Sequence, residues 1–208
     1  MILIGQYDSP FVRRVGIALT LHGIAFEHRP WSVFGDTEKI RPYNPLVRVP
    51  TLVLDDSEVL GDSHMMLDYL DSFAPVERRL FPVAEPERHK VLRVSSLAMG
   101  TAEKAVSLFY EQRLHETISD VWASRCRSQI LATLAVLEAE RAARPGPWWF
   151  GDRMNHADIA AAVMLRFVGD AHPGLAPMAE HPALAAHAAR AEALPVFQQI
   201  SQVFVAPA

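Results

Sequence analysis

Residues 44–63 read N-P-L-V-R-V-P-T-L-V-L-D-D-S-E-V-L-G-D-S. Val49-Pro50 opens a short apolar run, Thr51 to Leu54, that predicts a strand. The Asp55-Asp56-Ser57 turn and a second short strand complete a hairpin over 49–60, and Asp62-Ser63 starts a helix. A proline has no N–H for a central ladder, so Pro50 belongs at the first strand position or at an edge. There it leaves the backbone of Val49 free to pair with something outside the sheet. A polar, acid-bearing helix N-terminus lies one hairpin away. Together the two features make a candidate docking edge for a small peptide-like ligand.

Working outward, Ile2 to Ile4 predicts a strand, and residues 10–21 predict a helix that carries Phe11, Val15, Ala18 and Leu19 on one face and stops at Gly23. Ala25 to Arg29 predicts a second strand, ended by Pro30. Residues 35–42 fit a short helix or a loop. The helix over 63–73 turns Met66, Leu67, Leu70 and Phe73 inward. The order is βαβ, connector, ββ, α, with the first two strands parallel and the hairpin antiparallel. Pro75, Pro82 and Pro86 punctuate a linker over 75–85. Beyond it only helices are predicted, over 86–113, 119–143, 155–168, 182–193 and 195–204. Ile130, Leu134 and Leu137 mark the buried stripe of the second, and Ile159, Val163 and Phe167 that of the third. The expected organisation is an α/β domain over 1–74 and an all-α bundle over 86–208.

The chain has 208 residues, 50% hydrophobic and 21% charged, an ordinary globular composition. Its net charge of −4 argues against nucleic acid as a main partner, because phosphate binding needs clustered Lys and Arg. The single cysteine, Cys126, excludes an internal disulfide and a cysteine-based zinc site, and fits a reducing compartment. Met1 leads into Ile-Leu-Ile-Gly with no basic region before it, and no apolar run approaches the ~18 residues of a membrane span. The reading is a soluble, cytoplasmic protein. The nine histidines show no metal-ligand spacing, and neither a phosphate-cradling glycine loop nor a G-x-S-x-G elbow is present.

Ser9-Pro10 is a capping pair at a helix start. The same geometry gives a hydroxyl at the positive end of a helix dipole, where a bound thiol is pushed towards thiolate. Serine itself is not the nucleophile, since no base is placed to activate it. Asp62-Ser63 is likewise a cap. There the Ser63 hydroxyl and helix N–H groups can hold a carboxylate, and Asp62 an ammonium. Asn155-His156-Ala157-Asp158 is a capping box with Asp158 in the usual Glu position, and with Met154 and Ile159 as its staple; its role is structural. Cys126, between Arg125 and Arg127, reads as a packed thiol. Trp148-Trp149-Phe150-Gly151 reads as a hydrophobic plug beneath the third bundle helix.

Four motifs stand in order: S-P-F-V-R-R-V at 9–15, N-P-x-x-R-V-P-T-L at 44–52, D-S at 62–63 and G-D-x-x-N-x-A-D at 151–158. In these the chain resembles the soluble glutathione transferases over nearly its whole length. The resemblance implies a thioredoxin-like domain joined to an all-helical one, no metal, no nucleic-acid or membrane partner, and a homodimer. It implies that Ser9 hydrogen-bonds the glutathione sulfur, with Tyr7 a rival donor. Val49 pairs its backbone with the cysteinyl part, and Pro50 is cis. Asp62 and Ser63 take the γ-glutamyl end, and Arg48 or Lys39 reaches the glycyl carboxylate. An apolar electrophile lies between the first domain and the helix over 86–113, lined by Phe11, Phe34, Phe109 and Tyr110. Asp62 stands where Glu or Gln is usual, and Ser9-Pro10-Phe11 where cysteine-type members carry Cys-Pro-Phe, so conjugation is expected rather than thiol–disulfide exchange. The rival readings are a non-catalytic interaction module of the same fold and a glutathione-dependent isomerase, dehalogenase or peroxidase.

Overall fold

Four three-residue strands, β1 (Ile2–Ile4), β2 (Glu27–Arg29), β3 (Thr51–Val53) and β4 (Val59–Gly61), hydrogen-bond in the order β2-β1-β3-β4. β1 runs parallel to β2, with Ile2 opposite Glu27, and antiparallel to β3, with Ile4 opposite Thr51. β4 closes the hairpin on β3. The parallel crossover is α1 (Pro10–His22), begun by Ser9 and stopped by Gly23, whose left-handed backbone (φ 68°) returns its N–H to Leu19 and Thr20. The connector holds one helical turn, α2 (Thr37–Ile40), and the hairpin leads into α3 (Ser63–Asp71). Val15, Ala18, Leu19, Met66, Leu67 and Leu70 are all buried. Phe73, expected on that inner face, is 55% exposed, because α3 ends at Asp71 and Phe73 lies past the last turn.

The computed structural model describes residues 1–206 and divides into two units, one of Met1–Val83 with the segment from Leu194 onward, and one of Ala84–Ala193. The first is the thioredoxin-like sheet and its helices. The second is all-helical: α4 (Glu87–Leu114), α5 (Asp120–Ala142), α6 (His156–Ala171) and α7 (Pro182–Glu192). The sequence pattern over 195–204 predicts one helix. Only α8 (Pro195–Gln199) forms; the chain then runs without helix, the Gln202 side chain accepting the Tyr7 N–H and the Val205 N–H going to Asp8.

In the second unit α6 is buried almost all round, and its start is a full capping box: Asn155 caps the helix and Asp158 accepts the Asn155 N–H at 2.8 Å. Asp158 also accepts the buried Trp149 N–H at 2.7 Å, which ties the Trp149 plug to the helix start. Beside it lies a polar cluster. Arg141 gives Nε–H to His187 Nδ1 at 3.2 Å and its other donors to the carbonyls of Arg144, Gly146 and Pro147. Since arginine only donates, His187 Nδ1 accepts, and the imidazole proton sits on Nε2, 3.4 Å from the Asp158 carbonyl. The His187 ring meets Trp148 and Trp149 edge to face. Burial, with the Arg141 and Arg190 charges, pulls the His187 pKa down to about 4. Burial pushes Asp158 up to about 6.

Candidate functional site

Ser9 caps α1 with extended backbone (φ −69°, ψ 122°), and its Oγ accepts the Val12 N–H at a long 3.5 Å. An oxygen that accepts a hydrogen bond still has its own O–H to donate. Ser9 therefore presents a free-turning donor at the positive end of a 13-residue helix. The preceding Tyr7 is buried under α1, stacked on His28 with ring centroids 3.9 Å apart, and burial pushes its pKa to about 12.

The Val49–Pro50 peptide is cis. The Val49 N–H and C=O make no backbone hydrogen bond among the described residues, which leaves a short unpaired edge. What holds that edge is a brace not visible as such in the motif. Asn44, buried, accepts the Leu46 N–H at Oδ1 and donates from Nδ2 to Thr51 Oγ1 (2.9 Å) and to the Arg48 carbonyl (3.2 Å). Thr51 Oγ1 in turn donates to the Arg48 carbonyl at 2.8 Å. Gly5 lets this edge come close. A Cβ there would stand 2.8 Å from Val49 Cβ and 2.5 Å from Val12 Cγ2, and its φ of +131° is one that L side chains rarely adopt.

Asp62 sits at φ 66°, a left-handed conformation that costs a non-glycine residue about 1–3 kcal/mol. In it, Asp62 caps α3 by accepting the His64 N–H at 2.8 Å. Ser63 is 4% exposed, and its Oγ accepts a hydrogen bond from Arg14 Nε at 3.1 Å. Arg14 is 1% exposed, and its Nη2 has no hydrogen-bond partner among the described residues. Burial lowers its pKa to about 9, with the Asp62 charge opposing the fall. A buried guanidinium with an unused donor behind a helix N-terminus is a feature that sequence reading missed. The only signal was the second arginine of S-P-F-V-R-R-V. Arg14, in the second turn of α1, ties that helix to the start of α3.

Around these lie the other expected residues. Lys39 is tied to Asp36 at 2.6 Å and lies 6.0 Å from the Trp31 ring. Arg48 is exposed on the loop before Val49, Phe11 is half-buried on α1, and Phe34 is exposed in the connector. Phe109 and Tyr110 belong to α4 in the second unit, their rings 6.3 Å apart. No group of three or more metal-ligating side chains occurs among the described residues, and none of their helices is long and apolar enough to cross a membrane.

The arrangement can receive a flexible anionic peptide at two helix N-termini and a backbone edge. The glutathione S-transferase N-terminal domain pattern matches residues 3–78, and the C-terminal domain pattern matches residues 120–190. The GST-like protein YibF of Escherichia coli (strain K12) is 32% identical over 139 residues, 66% of this chain and 68% of its own length. Maleylacetoacetate isomerase of Rattus norvegicus is 27% identical over 167 residues, 77% of this chain and 74% of its own. A crystal structure of a glutathione S-transferase from Methylobacterium radiotolerans, in complex with glutathione sulfonate, superposes with a TM-score of 0.89 at 29% identity, covering 100% of this chain and 98% of that one. One from Methylobacillus flagellatus, with glutathione bound, gives 0.90 at 26% identity over 97% and 99%.

Proposed function

Because the chain belongs to the glutathione S-transferase family, we propose that it binds glutathione along the Val49 edge and activates the thiol at Ser9 for attack on an apolar electrophile. The observation that carries this is the Arg14 bridge: from the second turn of α1, whose cap is Ser9, one buried guanidinium donates to Ser63 at the start of α3. Ser63 Oγ and the first N–H groups of α3 receive the γ-glutamyl carboxylate, while the Asp62 carboxylate receives the ammonium. The free N–H and C=O of Val49 pair with the cysteinyl residue as an added strand would. Arg48 suits the glycyl carboxylate better than Lys39, whose charge is already engaged by Asp36.

At the start of α1 the Ser9 O–H donates to sulfur, and the helix dipole favours the anion, so the thiol proton leaves to solvent at lower pH. The sulfur pair then forms the C–S bond. Either a leaving group departs with its own pair, or the pair of a C=C bond shifts to the neighbouring carbon, which takes a proton from water. Tyr7, packed on His28, acts as a wall in this reading. Phe11 and Phe34 offer apolar surface to the electrophile. A homodimer is part of the proposal, tested by light scattering of the purified chain.

The likeness to maleylacetoacetate isomerase favours a second reading on the same machinery. The thiolate adds across a double bond, the new single bond rotates, and the thiolate leaves, so that glutathione is regenerated. Product analysis with a cis-alkene acid separates this from net conjugation. The primary test is a pH titration of bound glutathione by thiolate difference absorbance, in wild type and Ser9→Ala. The expected outcome is a depressed thiol pKa in the wild type that returns towards about 8.5 in the variant. A wild type that binds no glutathione would overturn the enzyme reading.

A further inference from the structure

Residues Gly5 to Ser9 carry the chain from the end of β1 to the first turn of α1. The helix at their far end is moored separately: Arg13, 3% exposed, donates from Nε to the Ile200 carbonyl at 2.8 Å and from Nη2 to the Phe197 carbonyl at 2.9 Å. The loop itself starts on a glycine, the residue with the most backbone freedom to lose. Within it the Ser9 N–H reaches the Gln6 carbonyl at 3.2 Å.

One side chain of β2 holds this loop at two points. His28 stands opposite Leu3 in the parallel ladder, and its Nε2 lies 2.8 Å from the Gly5 carbonyl. A carbonyl only accepts, so the imidazole carries a proton on Nε2 and donates it to Gly5. The face of the same ring stacks on Tyr7, with centroids 3.9 Å apart and planes 10° from parallel. The Gly5 N–H goes to the Arg29 carbonyl at 2.9 Å, so β2 takes both polar groups of Gly5. Val49 sits directly against Gly5, where a Cβ would stand 2.8 Å from Val49 Cβ. The ladder needs only the backbone of His28, which any strand residue supplies. The imidazole adds a donor that reaches Gly5 and a flat face for Tyr7. We propose that His28 is a positioning residue for glutathione: its Nε2–H sets Gly5 and with it the Val49 edge, and its ring face sets Tyr7, two residues before Ser9. This rests on the reading of Val49 and Ser9 as glutathione contacts. His28 acts through the loop and not on the ligand.

Two variants separate the two contacts. His28→Phe keeps a flat ring for Tyr7 and loses the donor, whereas His28→Gln keeps an N–H donor in place of Nε2 and loses the ring. S-methylglutathione, which has no thiol to ionise, reports the Val49 edge in calorimetry, and thiolate difference absorbance with glutathione reports the sulfur. His28→Phe should raise the Kd for S-methylglutathione about tenfold, because the Gly5 carbonyl loses its donor. Its bound thiol pKa should stay within about 0.3 of the wild type. His28→Gln should keep that Kd within about threefold of the wild type and raise the bound thiol pKa by about 0.5 or more. Equal effects of the two variants on both readings overturn the proposal, and so does a wild-type Kd in His28→Phe. Weaker S-methylglutathione binding in His28→Phe that comes with a lower urea midpoint than in His28→Gln marks a merely structural histidine and also overturns it. A wild type that does not bind S-methylglutathione removes the glutathione reading and this proposal with it. A wild type that binds it, but leaves the thiol of glutathione at its ordinary pKa, removes the role of Ser9 alone, and the Kd values then decide the role of His28.

Discussion

Replacing His187 by Gln turns the buried polar cluster of the helical unit into a measurable pH effect. In the fold His187 is neutral, because its Nδ1 must accept from Arg141, and protonation would set a second cation 3.2 Å from that guanidinium. Its pKa falls from 6.5 to about 4 through burial and the Arg141 and Arg190 charges. A histidine depressed in the fold binds its proton in the unfolded chain first. Its contribution is therefore present above about pH 6.5 and is lost as pH falls towards 4. The full difference corresponds to about 3 kcal/mol at about 1.4 kcal/mol per pH unit, and about 2 kcal/mol of it is lost between about pH 7.5 and pH 5. Asp158 works the other way. Raised to about 6, it is protonated earlier in the fold and adds stability as pH falls. The wild type alone therefore shows a muted profile, and the difference between the two proteins reads His187 together with its contact to Asp158, whose Oδ1 lies 3.6 Å from His187 Nε2. Urea unfolding followed by tryptophan fluorescence, at several pH values across this window, measures it. The Gln variant begins less stable, having lost the ring edges against Trp148 and Trp149. The gap narrows by about 2 kcal/mol on going to pH 5. A gap constant to within about 0.5 kcal/mol would refute the assignment of the neutral imidazole.

Arg14→Met should leave urea stability equal or higher, because a buried charge with an unused donor is replaced by an apolar chain of similar reach. The same change should weaken glutathione binding about tenfold by removing the brace on Ser63; tight binding in calorimetry would count against the bridge. Gly5→Ala should cost more than about 3 kcal/mol, since the new methyl group meets Val12 and Val49 at contacts no real Cβ makes, and near wild-type melting would show the Val49 edge to be more yielding than its packing implies. Asp62→Gly relieves the positive φ but removes the His64 cap, so its stability should stay within about 1 kcal/mol of wild type. Affinity for glutathione should fall, while that for a des-amino analogue should not. Equal losses for both ligands would take the ammonium contact away from Asp62.

The order of strands and helices was legible because its signals are local. Pro50 marks a strand mouth, Asp55-Asp56-Ser57 a turn, Gly23 a stop, and apolar spacing the buried faces of α1, α3, α5 and α6. The capping box at Asn155–Asp158 was legible for the same reason. What escaped were partnerships across long separations. Arg14 looks like any surface arginine until α3, 49 residues on, brings Ser63 to its Nε. Asn44 looks like a turn residue until Thr51 turns its hydroxyl back. The stretch after Gln199 has helix-like apolar spacing, but its Val205 N–H goes to the Asp8 carboxylate rather than to a carbonyl one turn back. Phe73 fits the inner-face pattern of α3 and is exposed only because the helix stops at Asp71.

The mooring of α1 also dictates an order of assembly. Arg13 is buried in the first unit, yet two of its acceptors, the carbonyls of Phe197 and Ile200, lie 184 and 187 residues later in the chain. During synthesis the early residues leave the ribosome long before those carbonyls exist, and a buried guanidinium short of acceptors is costly. A nascent first unit therefore lacks two of the carbonyls that receive Arg13 until the whole helical unit has been made. Closure waits for contacts of very long range, which are the slow ones in folding. A chain released short of Phe197 is thus marked as unfinished at the same helix whose first turn bears Ser9.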